Sequence, residues 1–384
     1  MREYLAVFLV AVTVTYLLAV FARELALRFG AVARVRDRDV HDVPIPYFGG
    51  VAMYGGLVAA YVVGRNLPFL SSAEGQFLRD AGIVLVAGGV VCALGVVDDL
   101  IELDALTKLG GQVIAAGFLV LNEVQVYIVY LPGGGVLSLD EAQAALITVF
   151  LVVATMNAVN FIDGLDGLAA GVVGLGAVAF FLFSYRLASV NFESVAIASA
   201  LLCAALAGAC AGFISHNFHP AEMFMGDSGS MLIGLVLAGS ALSLSGSFPP
   251  SAFIGGSVGQ GSLLLMLLPV LLPISVLIVP FVDLLLAVVR RMRRGQSPFA
   301  PDKQHLHHRL LEYGHSHRRA VLVIWLWAAL IAIGGVAVTL FPGGIVFGAV
   351  ALWAAATVVL TLVVPNVERP GWTHGDDYAP VPPR

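Results

Sequence analysis

Seven acidic and amide side chains lie where apolar stretches of the chain begin or end. They are Asp98 and Asp99, then Asn157, Asn160, Asp163 and Asp166, then Asp227 inside FMGDSGSM (224–231). Carboxylates that converge repel one another and stay ionised only around a cation. Hard oxygen donors in small number, with room for water, suit Mg²⁺ or Mn²⁺, and such an ion points to phosphate chemistry. Each aspartate alone could instead cap a helix, Asp227 most obviously. A chain this apolar has reason to avoid carboxylates at the ends of its hydrophobic runs, so their grouping favours the cation.

The same stretch contains Gly-Asp-Ser-Gly, which in trypsin-like proteases surrounds a nucleophilic serine. Ser228 would need a His and an Asp within hydrogen-bond reach on a β scaffold. Here MLIGLVLAG (231–239) follows at once and opens an apolar run. Asp227 is therefore read as the functional residue and Ser228 as its support.

The complementary charge lies between Arg290 and Arg319, the most basic segment of the chain. Arg290, Arg291, Arg293 and Arg294 flank an apolar run as topogenic charge does. His305, His307 and His308, next to Lys303, have no such job and read as phosphate contacts. A three-histidine zinc site is the rival, but side chains at i, i+2 and i+3 cannot all meet at one point from a regular helix. The chain has only two lysines, Lys108 and Lys303, against eighteen arginines, and both lie beside these clusters. An ammonium approaches phosphate as a compact point charge.

The elements that must position these groups are membrane spans. The 384 residues are 59% hydrophobic and 12% charged, with a mean hydropathy of +0.94. Soluble enzymes carry about a quarter charged residues. Eleven apolar runs could cross a bilayer, at 4–22, 47–64, 81–97, 105–121, 139–158, 167–185, 195–214, 228–244, 263–289, 320–340 and 344–364. The first lacks a signal-peptide cleavage site and carries its positive charge on the far side, so it reads as a retained helix. With the amino end outside, sixteen of the twenty Lys and Arg fall on the cytoplasmic side, as topology requires. The expected fold is an all-α polytopic membrane protein of about eleven spans, amino end outside and carboxyl end inside. Val124 to Leu139 alternates around Pro-Gly-Gly-Gly and reads as a small external β-hairpin. Residues 1–365 read as one integral-membrane domain and 366–384 as a flexible cytoplasmic tail. Cys92, Cys203 and Cys210 fall inside apolar runs and suggest neither disulfide nor metal. A transporter or lipid flippase is the non-enzyme alternative. It would place acids near the midplane and is often built from inverted repeats, and neither feature is visible.

Five motifs in order resemble the polyprenyl-phosphate N-acetylhexosamine-1-phosphate transferases, from His41 to about Val321. They are HDVPIPYFGG (41–50), GVVDDLIELDALTKLGGQ (95–112), NAVNFIDGLDGLAAG (157–171), NFHPAEMFMGDSGSM (217–231) and PFVDLLLAVVRRMRRGQSPFAPDKQHLHHRL (280–310). The His-x-His-His form resembles the branch that uses UDP-GlcNAc. Transfer of phospho-MurNAc-pentapeptide or of another UDP-HexNAc is the alternative within the family. Where relatives have Arg-Lys-x-His, this chain has Arg38-Asp39-Val40-His41, an acid where a nucleotide-side lysine is expected. Glu222 is a milder departure.

The resemblance implies transfer of GlcNAc-1-phosphate from UDP-GlcNAc to a polyprenyl phosphate, with release of UMP, as the first membrane step of a cell-envelope polysaccharide pathway. It implies Mg²⁺, with Mn²⁺ as a substitute, and Asp227 as principal ligand, joined by Asp99 and Asp163. Asp98 and Asp99 resemble the catalytic pair, and Asp163 and His305 join them in the reacting site. Lys108, Asn157, Asn160, Asp166, Asn217, Lys303, His307, His308 and His41 resemble substrate contacts. Asp283 matches a family acid without an assigned job. The implied partners are UDP-GlcNAc, polyprenyl phosphate and the lipid bilayer, with no nucleic acid; a homodimer is compatible. The implied location is the bacterial plasma membrane, multi-pass, with the active site on the cytoplasmic face.

Overall fold

A computed structural model describes residues 1–32, 45–71, 75–131, 135–190, 196–245, 292, 315–341 and 343–363. Helix α1 (Arg2–Phe29) is followed by α2 (Gly49–Gly64), the single turn α3 (Pro68–Ser71), α4 (Gly75–Ile101) and α5 (Ala105–Leu121). Strands β1 (Ile128–Leu131) and β2 (Gly135–Ser138) then pair antiparallel, Ile128 opposite Ser138 and Leu131 opposite Gly135. Helices α6 (Glu141–Ile162), α7 (Leu168–Val190), α8 (Ala196–Asn217) and α9 (Gly226–Ser245) complete the first part. Helix α10 (His317–Ala329) continues through a wider turn (Leu330–Gly334) into α11 (Gly335–Leu340), before α12 (Gly344–Leu362).

Among the described residues, eight helical stretches are long and apolar enough to cross a membrane. Ten of the eleven expected runs fall on helices; the run at 263–289 and the tail lie outside the described residues. Helices α2 and α5 have 16 and 17 residues, short of the roughly 20 that a perpendicular crossing needs. Helix α1, with 28 residues, is longer than its apolar run because Arg23, Glu24 and Arg28 continue the helix past it. It stops at Gly30, whose φ of 73° lets its N–H turn back to the last carbonyls.

Helices α8 and α9 form the centre: about nine-tenths of each apolar window is buried, against 6% for α12. A helix hydrophobic all round belongs in such a place. Both consist largely of Ala, Gly, Ser and Leu, and small residues let backbones approach closely. The contact that positions the site is of this kind. A Cβ on Gly95 of α4 would lie 2.3 Å from Ser228 Cα, and one on Gly50 of α2 would lie 2.3 Å from the Gly229 nitrogen. Neither helix could meet the start of α9 with any larger residue there.

Candidate active site at the converging helix ends

Successive long helices run up and down. The carboxyl ends of α4, α6 and α8 and the amino ends of α5, α7, α9 and α10 therefore share one end of the bundle, with the start of α2. Two backbone links knit that end together. Gly49 and Gly50, the first residues of α2, donate to the Phe224 and Met225 carbonyls at 3.1 Å each, and Phe224 donates to the Pro46 carbonyl at 2.9 Å. Two otherwise orphaned amides of α2 are satisfied this way, and the segment leading into Asp227 is held against PYFGG (46–50).

Asp227 stands in the first turn of α9. Lys108 Nζ forms an ion pair with its Oδ2 and lies 3.1 Å from Asp98 Oδ2. Asn160 of α6 donates to Asp227 Oδ1 and, at 2.9 Å, to Ser230 Oγ. Lys108 reaches this point because Asp104 caps α5, accepting the Leu106 and Thr107 amides at 3.0 Å each, so the lysine projects from the first turn. Asp98 is held from its other side, where Oδ1 accepts the Leu103 amide at 2.7 Å. The Lys108, Asp98 and Asp227 side chains are 19%, 10% and 26% exposed, too sheltered for water to screen them fully. Two like charges about 4 Å apart at an effective dielectric near 20 repel by about 4 kcal/mol. An ammonium between the carboxylates offsets that term.

Asp99 faces elsewhere. Its Oδ1 accepts the Asp227 amide at 2.8 Å and its Oδ2 the Ser228 amide at 3.4 Å. Ser228 is fully buried, and its hydroxyl donates to the Met225 carbonyl at 3.4 Å. Asp163 follows α6 and is half-buried. Burial, and then the negative charges of Asp227, Asp99 and Asp166, push its carboxyl up to about 8. Its field thus reports the same acidic grouping.

A second knot lies beside the first. Buried Asp166 accepts the Ala221 amide at 3.2 Å, and its Oδ2 is 2.8 Å from His219 Nδ1. Asn217 accepts the Gly167 amide and donates to the Met223 carbonyl, both at 2.9 Å. The His219 ring stacks on His317 with centroids 4.2 Å apart, and Arg318 donates to the His219 carbonyl at 2.9 Å. Asn157, about one turn before Asn160 on α6, donates to Gln112 Oε1 at 2.7 Å.

The structure thus brings Asp98, Asp99, Lys108, Asn157, Asn160, Asp163, Asp166, Asn217 and Asp227 to one end of the bundle. His41, Lys303, His305, His307 and His308 lie outside the described residues, as do Asp39 and Asp283. Gln112, His219, Ser230 and His317 join the site without having been singled out in the sequence. For His219 and Ser230 the signal was present, since both are polar residues inside motifs quoted for their neighbours. Buried Gln112, one helical turn beyond Lys108 on an apolar helix, carried a similar signal.

This arrangement defines a polytopic membrane protein that gathers carboxylates, amides and a lysine at one end of its helices. The family model described as Glycosyl transferase family 4 matches residues 81–245, the span from α4 to α9. A decaprenyl-phosphate N-acetylglucosaminephosphotransferase of Mycolicibacterium smegmatis is 45% identical over 368 residues, covering 94% of this chain and 89% of that protein. The protein of the same name from Mycobacterium tuberculosis is 44% identical over 387 residues, 98% and 91% of the two chains. An undecaprenyl-phosphate alpha-N-acetylglucosaminyl 1-phosphate transferase of Escherichia coli is 28% identical over 328 residues, 84% and 80%. The chain belongs to the polyprenyl-phosphate N-acetylglucosamine-1-phosphate transferase family.

Proposed function

We propose that the protein transfers GlcNAc-1-phosphate from UDP-GlcNAc to a polyprenyl phosphate at the cytoplasmic face of a bacterial plasma membrane. An oxygen of the prenyl phosphate forms a bond to the donor's β-phosphorus while the bond from that phosphorus to the bridging oxygen breaks. Polyprenyl-diphospho-GlcNAc forms and UMP leaves with the bridging oxygen. The product would start a cell-envelope polysaccharide. The observation that carries this reading is the convergence of Asp98 and Asp227 on Lys108, with Asn160 on the opposite oxygen of Asp227. It is supported by the names of the relatives, and the donor follows from the product those names imply.

Both reactants are anionic, so the protein's main task is to neutralise charge and hold the two phosphates in line. Asp227 and Asp163 offer carboxylate oxygens, and Asn160 a neighbouring amide, a hard donor set that fits Mg²⁺ or Mn²⁺. When bound, such an ion would supply charge neutralisation on the donor diphosphate. Lys108 contributes a positive charge where the phosphates would meet. Asp98, beside Lys108, is placed to take or hold the proton of the acceptor phosphate. Asp166 and Asn217, fixed by His219 and backbone groups, border the nucleotide end. The positive-inside distribution of Lys and Arg supports the cytoplasmic placement.

The test is turnover by purified protein in detergent, with radiolabelled UDP-GlcNAc, decaprenyl or undecaprenyl phosphate, and Mg²⁺. A labelled lipid and UMP are expected, both lost on chelation and restored by Mg²⁺ or Mn²⁺. Label transferred only from UDP-MurNAc-pentapeptide would overturn the donor. No lipid product from any UDP-sugar would overturn the reaction and favour transport.

A further inference from the structure

Asp98 and Asp99 are neighbours in sequence, yet α4 sends them to different partners, because adjacent helical residues are rotated by about 100° from each other. Asp98 meets Lys108 and the Leu103 amide. Asp99 accepts the backbone amides of Asp227 and Ser228, with the Ser228 side chain beside it. Those amides belong to the first turn of α9, where N–H groups have no partner within their own helix. Met225 and Gly226, which lead into that turn, bring no side-chain oxygen to cap it. Gly226 has φ +70°, and a Cβ there would lie 2.5 Å from Asp99 Oδ2. Gly95, one turn before Asp99 on the same face of α4, makes the close approach to Ser228. Gly95, Asp99 and Gly226 therefore form one contact whose result is a helix cap delivered from a different helix.

We infer that Asp99 is a positioning residue: its carboxylate caps α9 from α4 and so fixes where the Asp227 carboxylate stands against Lys108 and Asn160. This rests on the proposed phosphotransfer and assigns unequal tasks to its two adjacent aspartates. Asp99 then acts through Asp227, and neither the cation nor the acceptor phosphate needs to touch it.

The role separates from that of a metal ligand or base because a cap needs an acceptor oxygen and no charge. Asparagine caps helices about as well as aspartate, and alanine does not. Asp99→Asn keeps an oxygen for the 2.8 Å bond to the Asp227 amide and gives up the longer bond from the Ser228 amide. Its turnover should stay within about fivefold of the parent protein. Asp99→Ala should lose about 10²-fold, as misplacement of a reacting group by about 1 Å does, with the loss in kcat. Two readouts need no turnover. Hydrogen exchange in the full-length protein should show the Asp227 amide protected in Asp99→Asn and exposed in Asp99→Ala. Binding of Mn²⁺ alone, read by electron paramagnetic resonance, should be unchanged in Asp99→Asn. A dead Asp99→Asn in an active parent background, or a tenfold or greater fall in its Mn²⁺ affinity, would overturn the inference. Protection unchanged in Asp99→Ala would also overturn it. Failure of the parent protein to form lipid product would sink the proposed reaction, while the exchange and Mn²⁺ measurements would still decide the role of Asp99. Should Asp99→Ala fail to fold, Asp99→Asn alone carries the decision.

Discussion

Lys108 and Asp227 lie 119 positions apart in sequence and meet as an ion pair at the converging ends of α5 and α9, with Asp98 sharing the same ammonium. Removing the shared cation leaves two sheltered carboxylates facing each other. Lys108→Ala should lower turnover by roughly 10²- to 10³-fold, the scale seen when a preorganised electrostatic partner is deleted. Lys108→Arg should recover little of it, because a planar guanidinium does not replace a compact point charge between two carboxylates. Steady-state kinetics on detergent-purified variants checks both.

Asp227→Asn should abolish turnover while insertion and expression match the parent. Ser228→Ala should keep most of the activity, since its hydroxyl makes a long 3.4 Å contact to the Met225 carbonyl and the backbone amide that Asp99 accepts is retained. A folded but inactive Ser228→Ala would show that the serine takes part in chemistry.

Asp163 carries a stability cost that depends on pH. Its carboxyl moves from an ordinary value of 3.8 to about 8 on folding, so the folded protein binds that proton more tightly than the unfolded chain does. The cost is absent below the unfolded value, grows as pH rises, and is complete above about 8. Asp163→Asn lacks it. In the presence of a chelator, the melting temperature of the variant should pull ahead of the parent by on the order of a few degrees between about pH 5 and pH 8. Its turnover should fall sharply. A gap that closes with rising pH would contradict the assignment.

The close approach of α4 and α9 tolerates no side chain at Gly95. Gly95→Ala would place a methyl 2.3 Å from Ser228 Cα and force the two backbones apart, at about 1–3 kcal/mol or more, with activity lost. Gly110 of α5 is the control. A Cβ there meets nothing within 4 Å, so Gly110→Ala should leave activity intact and raise stability by about 0.5–1 kcal/mol through the helix preference of alanine. Thermal denaturation and turnover of the pair separate the two cases.

Much of this protein was legible before any coordinates. Hydrocarbon demands long apolar stretches with internally satisfied backbones, so the spans could be read from hydropathy, and the polar residues left over had to lie at their ends. Asp98, Asn160, Asp163 and Asp227 stood out for that reason, and the quoted motifs led to the family. The alternation around Pro-Gly-Gly-Gly marked where β1 and β2 pair. Helix limits were less legible, because α1 continues through charged residues beyond its apolar run and α2 stops short of a full crossing.

Tertiary structure decided the partners. Nothing in the order of residues distinguishes Asp98 from Asp99, but one step around α4 turns the first toward Lys108 and the second toward the amides of α9. Lys108 finds its two carboxylate partners on two other helices, Asp98 on α4 and Asp227 on α9. His219 reaches Asp166, and Gln112 reaches Asn157, across gaps of 53 and 45 residues. Hydropathy records how far each residue sits from water and is blind to azimuth. The rotation of each helix was set by glycine contacts such as Gly50 and Gly95 against the start of α9, and those contacts chose which side chains meet.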